Sequence, residues 1–180
     1  MDIDNFLRNR RTCHQFLNKE VPNALIEKAI TTSIWVPNHH LTFPWQYWVL
    51  GERVKQQFTE IVYEYIATTF SPTAADNKVS RIKTIPTIIV IAGLQDPNPQ
   101  KCQENNATVF CGIHNLSLSL WNEGIGSKWV TNAFIHLTAI KDLLHVPKSY
   151  SILSMLYCGY PQKIPSQSRP KINQFVTYTE

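Results

Sequence analysis

Two arginines, a hydroxyl and an imidazole stand together near the start of the chain, in Arg10–Arg11–Thr12–Cys13–His14. Guanidinium groups present paired donors that match phosphate oxygens, and a threonine hydroxyl adds a third donor. Arg169, in the run Ser168–Arg169–Pro170, belongs with Lys163 and Lys171 to a second basic group near the other end. Two small clusters of this kind suit a small anion better than a polymer, with solvated surface charge as the competing reading for each. Val36–Pro37–Asn38–His39–His40–Leu41–Thr42–Phe43–Pro44–Trp45 is an aromatic and polar loop whose course two prolines restrict. It suits a flat ligand laid against it, or the capping of a core or a subunit contact. Gly124–Ile125–Gly126–Ser127–Lys128–Trp129–Val130–Thr131 places two glycines where backbone could approach a ligand closely, or where a helix simply turns into a strand.

Other catalytic constellations are missing. The sequence has no glycine-rich dinucleotide fingerprint, no P-loop, no nucleophile elbow and no zinc-protease helix. His39 and His40, with His14, offer imidazoles. Adjacent histidines seldom close on one ion, and no acid or cysteine at a useful local spacing completes the set, so no metal site is expected. Cys13 and His14 are neighbours in sequence and rarely point at each other, which weakens a nucleophile–base pair. This absence shifts the weight toward chemistry done by an organic cofactor.

The elements that must position these groups follow from periodicity. Ile3, Phe6 and Leu7 fit a short helix that runs into the basic turn. Leu25, Ile26, Ala29, Ile30 and Ile34 repeat at helical spacing after Pro22, and the helix must stop before Pro37. Tyr47–Leu50 reads as a short buried strand, and Val54, Phe58, Ile61 and Tyr65 as one face of an amphipathic helix. Residues 68–77 are polar, contain Pro72 and read as a mobile loop. Thr87–Ala92 is the most strand-like run, and Asp96–Gln100 a surface connection. A long helix spans Glu104–Glu123, with Val109, Ile113, Leu116 and Leu120 as its buried stripe, Phe110, Ser117 and Trp121 extending that face, and Gly124 ending it. Lys128–Thr131 is extended, Leu137–Leu144 a short helix, Tyr150–Cys158 a strand, and Phe175–Tyr178 has the composition of an edge strand. Helices and strands interleave without a regular βαβ series, which predicts an α+β sheet packed by helices, with both termini extended.

At 180 residues the chain is the size of one ordinary domain, 1–180. Its charged fraction of 17% lies below the roughly 25% of an average soluble domain, and 43% is apolar, which excludes a disordered chain. Five Trp, seven Tyr and eight Phe suggest that surface exposed on one copy is covered by a cofactor or a second subunit. A net charge of +4 without a basic stripe gives no reason to expect nucleic acid. The four cysteines form no C-x-x-C pair, so reduced thiols in a cytoplasmic protein are expected rather than a disulfide framework or zinc ribbon. Met1–Asp4 is acidic with no apolar stretch behind it, which gives no secretory signal, and Ile88–Gly93 is far too short to span a membrane.

Taken together, these segments resemble the nitroreductase family of FMN-dependent oxidoreductases, in particular its short bacterial members. Arg10–Arg11–Thr12–Cys13–His14–Gln15–Phe16 is similar to the family's R-R-S-x-R-x-F opening. Val36–Pro37–Asn38–His39–His40 with Pro44–Trp45–Gln46–Tyr47 is similar to its A-P-x-H-x…P-W-x-F segment. Gly124–Thr131 resembles its G-x-G-S-x-W-x-T-G turn, and Leu156–Tyr157–Cys158–Gly159–Tyr160–Pro161 its late L-Y-x-G-x-P strand.

The resemblance implies a sheet flanked by helices, in an intertwined homodimer with FMN at the interface. It implies that Arg10, Arg11, Thr12, His14 and Arg169 hold the phosphate end of the cofactor. Trp35, Asn38 and His39 would reach the flavin of the partner subunit, and Trp129, Val130 and Thr131 would lie along the ring. The implied reaction is ping-pong hydride transfer from NAD(P)H through flavin N5 to a nitroaromatic or quinone, with no catalytic side chain. Flavin fragmentation, reductive dehalogenation, or a dimeric flavin-binding protein without turnover are the alternatives. His14 where the family has Arg or Lys, Trp35 where short relatives often carry Arg, and Asn132 where the family has Gly are the departures. A side chain at Asn132 would narrow the pocket, unless the residue takes a positive φ.

Overall fold

The computed structural model describes residues 2–179; Met1 and Glu180, the two ends of the expected domain, lie outside the described residues. The chain runs α1 (Ile3–Asn9), α2 (Asn23–Ser33), β1 (Trp45–Val49), α3 (Glu52–Thr69), α4 (Pro72–Lys83), β2 (Thr87–Leu94), α5 (Pro99–Asn122), β3 (Gly126–Val130), α6 (Thr138–Leu143) and β4 (Tyr150–Gly159). The four strands form one antiparallel sheet in the order β1-β2-β4-β3.

Helices cover both faces of this sheet, which is why central β2 is apolar throughout rather than alternating. Strand side chains alternate between faces. Ile88 and Val90 therefore pack with Phe58 and Val62 of α3 and Ile82 of α4, while Ile89 and Ile91 pack with Val109, Ile113, Leu116 and Leu120 of α5 and Ile26 and Ala29 of α2. The α+β architecture expected from the sequence is the one observed. The side chain of Asn98 caps α5 by accepting from the N–H groups of Gln100 and Lys101. At its other end the Ile125 N–H donates to Leu120 O (2.9 Å) and the Gly124 N–H to Trp121 O (3.0 Å), with Gly124 at φ 73°. This closure needs a left-handed residue, and glycine takes that conformation without cost.

Several expectations differ from the structure. α5 begins at Pro99 rather than Glu104, taking in the end of the expected surface connection, and β1 runs Trp45–Val49 and is half-buried rather than buried. Residues 68–77 are not a loop: α3 continues to Thr69, and α4 begins at Pro72. Ser71 caps α4 by accepting from the Ala74 N–H at 3.1 Å, and Pro72 takes the first helical position, where its missing N–H costs nothing. The apolar face of α4 is narrow, with only Ala75 and Ile82 buried, so its sequence looked like a loop. Phe175–Tyr178 forms no strand: Phe175 and Tyr178 are exposed, and the segment follows a short 3-10 turn at Ile172–Gln174. Among the described residues it pairs with no strand, and the extended N-terminal segment bridges the β3 edge instead. Phe110 lies on the exposed side of α5 rather than in its buried face; Ser117 is buried and Trp121 half-buried.

Candidate functional site

After α1 the chain runs extended along the outer edge of β3. Thr12 bridges Ser127, the Cys13 N–H donates to Ser127 O (3.0 Å), the Leu17 N–H to Tyr160 O (2.8 Å), and the Gln162 N–H to Gln15 O (3.0 Å). This docking carries Arg10 and Arg11 to the end of the strand. The Arg11 guanidinium folds back on the α1 terminus, donating to the carbonyls of Arg8 and Arg10. Arg169 arrives from the C-terminal segment. Leu7, Arg8, Arg10, Arg11, Arg169, Gln167 and His114 line one cleft of about 600 Å³.

The electrostatics of the cleft are uncompensated. Partial burial, and then the charges of Arg169 and Arg11, push the Arg10 guanidinium below its ordinary pKa. A cationic group crowded by two others without an acid among the cleft's lining is what a dianion such as a phosphate monoester would relieve. The residues present thus fit the phosphate end of a flavin nucleotide.

β3 leads away from this cleft. Its Ser127 carbonyl points outward, toward Cys13. Backbone direction alternates along an antiparallel strand, so Trp129 turns its N–H and C=O groups outward as well, and Thr131 follows just past the end of the strand. Val130 faces the core, where it is buried, and only its backbone is near the edge. The Trp129 indole is exposed and packs against Phe110 of α5, with ring centroids 5.7 Å apart. A second cleft of about 590 Å³ lies between α5 and the segment after α2, lined by Trp35, Val36, Pro37, Phe110, Cys111 and His114. His114 borders both clefts. The Asn115 amide holds the Trp35 carbonyl at 3.3 Å, while the Trp35 side chain is 82% exposed.

Arg10, Arg11 and Arg169 are therefore brought together from opposite ends of the sequence, and Trp129, Val130 and Thr131 border the same edge. Thr12 and His14 are exposed and lie outside the lining of the arginine cleft. Asn38 spends its amide within its own loop: it donates to Thr42 Oγ1 (3.1 Å) and its Oδ1 accepts from the Phe43 N–H (2.8 Å). His39 turns to Glu104 of α5, with Nδ1 3.0 Å from the carboxylate. Asn132 takes an ordinary extended conformation, φ −67°, rather than a positive φ. It lines a small cavity with Phe70, Lys78 and Phe134. Gly126 is needed for packing rather than for a ligand's approach: a β-carbon there would meet the Cys13 sulfur.

From the sequence, Phe110 belongs to the buried face of α5, and Cys111 and His114 have no role in the site. The spacing of Phe110 and His114, one helical turn apart on α5, is the signal that both share a face.

Residues 7–160 match the family model described as Nitroreductase family, which covers the arginine turn, the loop after α2, α5 and the β3–β4 pair. The chain belongs to the nitroreductase family. Among its relatives is YfhC of Bacillus subtilis, whose name places it with the NAD(P)H nitroreductases; it is 21% identical over 91% of this chain and 86% of its own. Two solved structures share the nitroreductase fold. A nitroreductase-like family protein from Bacillus cereus superposes with a TM-score of 0.88 at 22% identity, covering 100% of this chain and 97% of that one. The FMN- and NADPH-dependent nitroreductase NfnB of a Sphigopyxis strain gives 0.81 at 13% identity, with both chains covered completely.

Proposed function

We propose that this chain is an FMN-dependent oxidoreductase that draws electrons from NAD(P)H and reduces a small electron-poor acceptor, as a cytoplasmic homodimer of one domain over 1–180. The convergence of Arg10, Arg11 and Arg169 in one cleft with no acid in its lining carries this reading. Family membership and the names of its relatives support it. The chemistry FMN supplies when bound is hydride exchange at N5, first from NAD(P)H and then to a nitroaromatic or quinone at the same face.

The chain's own residues bind and orient. Arg10, Arg11 and Arg169 neutralise the phosphate; Thr12 and His14, which lie outside the cleft's lining, would have to turn toward it to take part. The outward backbone groups of Trp129, with Thr131 just past the end of the strand, provide donors and acceptors along the ring, and Val130, whose backbone is turned to β4, lies between them. Phe110 and Trp129 form an apolar wall that excludes water from one side. Trp35, Asn38 and His39 would complete the partner subunit's site, which gives the exposed Trp35 indole a surface to cover. The apolar side chains of the tail, Ile172, Phe175 and Tyr178, are equally exposed in one protomer and suit burial against a second copy. The cysteines are free, as a reducing compartment requires. Among the described residues, no helix is long and apolar enough to cross a membrane.

The visible spectrum of the purified protein tests the reading. A yellow protein bleached anaerobically by NADH or NADPH, and reoxidised by a quinone with turnover, supports it; protein that is colourless and stays so with added FMN overturns it. The departure at His14, outside the cleft, favours one second reading, a flavin-binding dimer without turnover. Bound FMN with no NAD(P)H oxidation identifies that case. Product analysis after reduction and air exposure separates flavin fragmentation and dehalogenation from acceptor reduction.

A further inference from the structure

No acid lies near His39 and His40 in sequence, yet the fold supplies one. Glu104, on the second turn of α5, places Oε2 at 3.0 Å from His39 Nδ1 and 4.0 Å from His40 Nε2. All three candidate ligand atoms lie within 4.8 Å of one another. Tetrahedral zinc, with bonds of about 2.0–2.1 Å, needs ligand atoms about 3.3 Å apart and lone pairs that converge, so binding requires the two imidazoles to rotate out of parallel while their nitrogens stay close to Glu104.

The arrangement is built rather than incidental. His40, Leu41 and Phe43 all adopt positive φ (61°, 49° and 46°), a conformation that residues with a β-carbon rarely take. This backbone folds the His40 ring over that of His39, with centroids 3.8 Å apart and planes 26° from parallel. The loop is pinned to α5 beside the third ligand: Thr42 Oγ1 donates to Asn105 Oδ1 (2.7 Å), and the buried Asn105 amide donates to Leu94 O (3.2 Å). Gln100 donates to the other Glu104 oxygen, Oε1, at 3.2 Å, which fixes the carboxylate while leaving Oε2 directed at the imidazoles.

We propose that His39, His40 and Glu104 form a binding site for a divalent transition-metal ion of the zinc, nickel or copper class. Two imidazoles and one carboxylate select such borderline ions over magnesium or calcium, which prefer oxygen ligands, and leave a fourth position for water. Glu104 lies ten residues before His114, about 15 Å along the helix at 1.5 Å per residue, so the site is separate from the arginine cleft. A bound ion would tie the loop after α2 to α5.

The test is calorimetric titration of the full chain, as purified and cleared of metal with chelator, using Zn²⁺. One equivalent per chain is expected, with affinity reduced about tenfold or more in Glu104→Gln and in His40→Asn, and unchanged in His136→Ala. Asparagine tolerates positive φ, so His40→Asn preserves the loop. Zn²⁺ should raise the melting temperature of the wild type and not of Glu104→Gln, and Cu²⁺ should show nitrogen coupling by electron paramagnetic resonance that weakens in His40→Asn. The absence of stoichiometric binding, or wild-type affinity in both ligand variants, overturns the proposal. Since metal binding is read without flavin turnover, its failure leaves the oxidoreductase reading intact.

Discussion

The Cys13 sulfur fills the space that a side chain at residue 126 would need. A β-carbon built on Gly126 would lie 2.6 Å from Sγ and 2.9 Å from the Cys13 β-carbon. This contact seats the N-terminal segment on the β3 edge and so fixes where Arg10 and Arg11 emerge.

Gly126→Ala should therefore destabilise the protein by about 1–3 kcal/mol, the usual range for overpacking, and weaken FMN binding as the arginines shift. Cys13→Ala in the same chain should restore part of both losses, since it removes the nearer of the two clashes. Urea unfolding and flavin titration of the single and double variants check this; equal losses in both would contradict it.

Arg169 crowds Arg10 in the absence of an anion and helps bind one in its presence. Arg169→Gln should lower FMN affinity about tenfold to a hundredfold, the worth of a hydrogen bond to a charged group. The flavin-free protein should be equally stable or slightly more so, because a like charge has gone. Fluorescence titration with FMN and the melting temperature of the apoprotein give the two readouts.

Burial raises the pKa of the Cys158 thiol and of the Tyr157 phenol above their ordinary values. Unfolded, these groups lose their protons near pH 8.5 and 10 respectively, about the model-peptide values. Folded, they hold them to higher pH, so above that point the unfolded state binds fewer protons and stability falls as pH rises. The contribution is complete below about pH 8.5 and disappears through the alkaline range. Urea midpoints measured across this range should decline, and Cys158→Ala should flatten the first part of the decline.

Ser71 supplies the one side-chain cap of α4. Ser71→Ala should cost about 1 kcal/mol, measured as a shift in urea midpoint with an unchanged slope. Thr73→Ala, two residues later and exposed, should cost much less.

The long elements were legible because their periodicity is strong. Val109, Ile113, Leu116 and Leu120 mark α5, and the unbroken apolar run of β2 reflects cover on both faces. α4 was not legible, since a helix burying only Ala75 and Ile82 carries little periodic signal, although Ser71–Pro72 is a start signal in its own right. Phe175–Tyr178 has strand-forming residues, but a strand needs an edge to pair with, and composition cannot report where edges lie.

The sequence alone determined the family resemblance, the α+β sheet packed by helices, and the chemical type of the cofactor-binding groups, because these follow from local residue order and side-chain chemistry. Only the tertiary structure decided which of those groups meet. It set Arg169 against Arg10, turned Trp129 onto Phe110, gave His114 a place in both clefts, and brought Glu104 to His39 and His40. Such meetings join residues far apart in the chain, and their geometry is fixed by how α5, β3 and the two terminal segments pack, which no local spacing encodes.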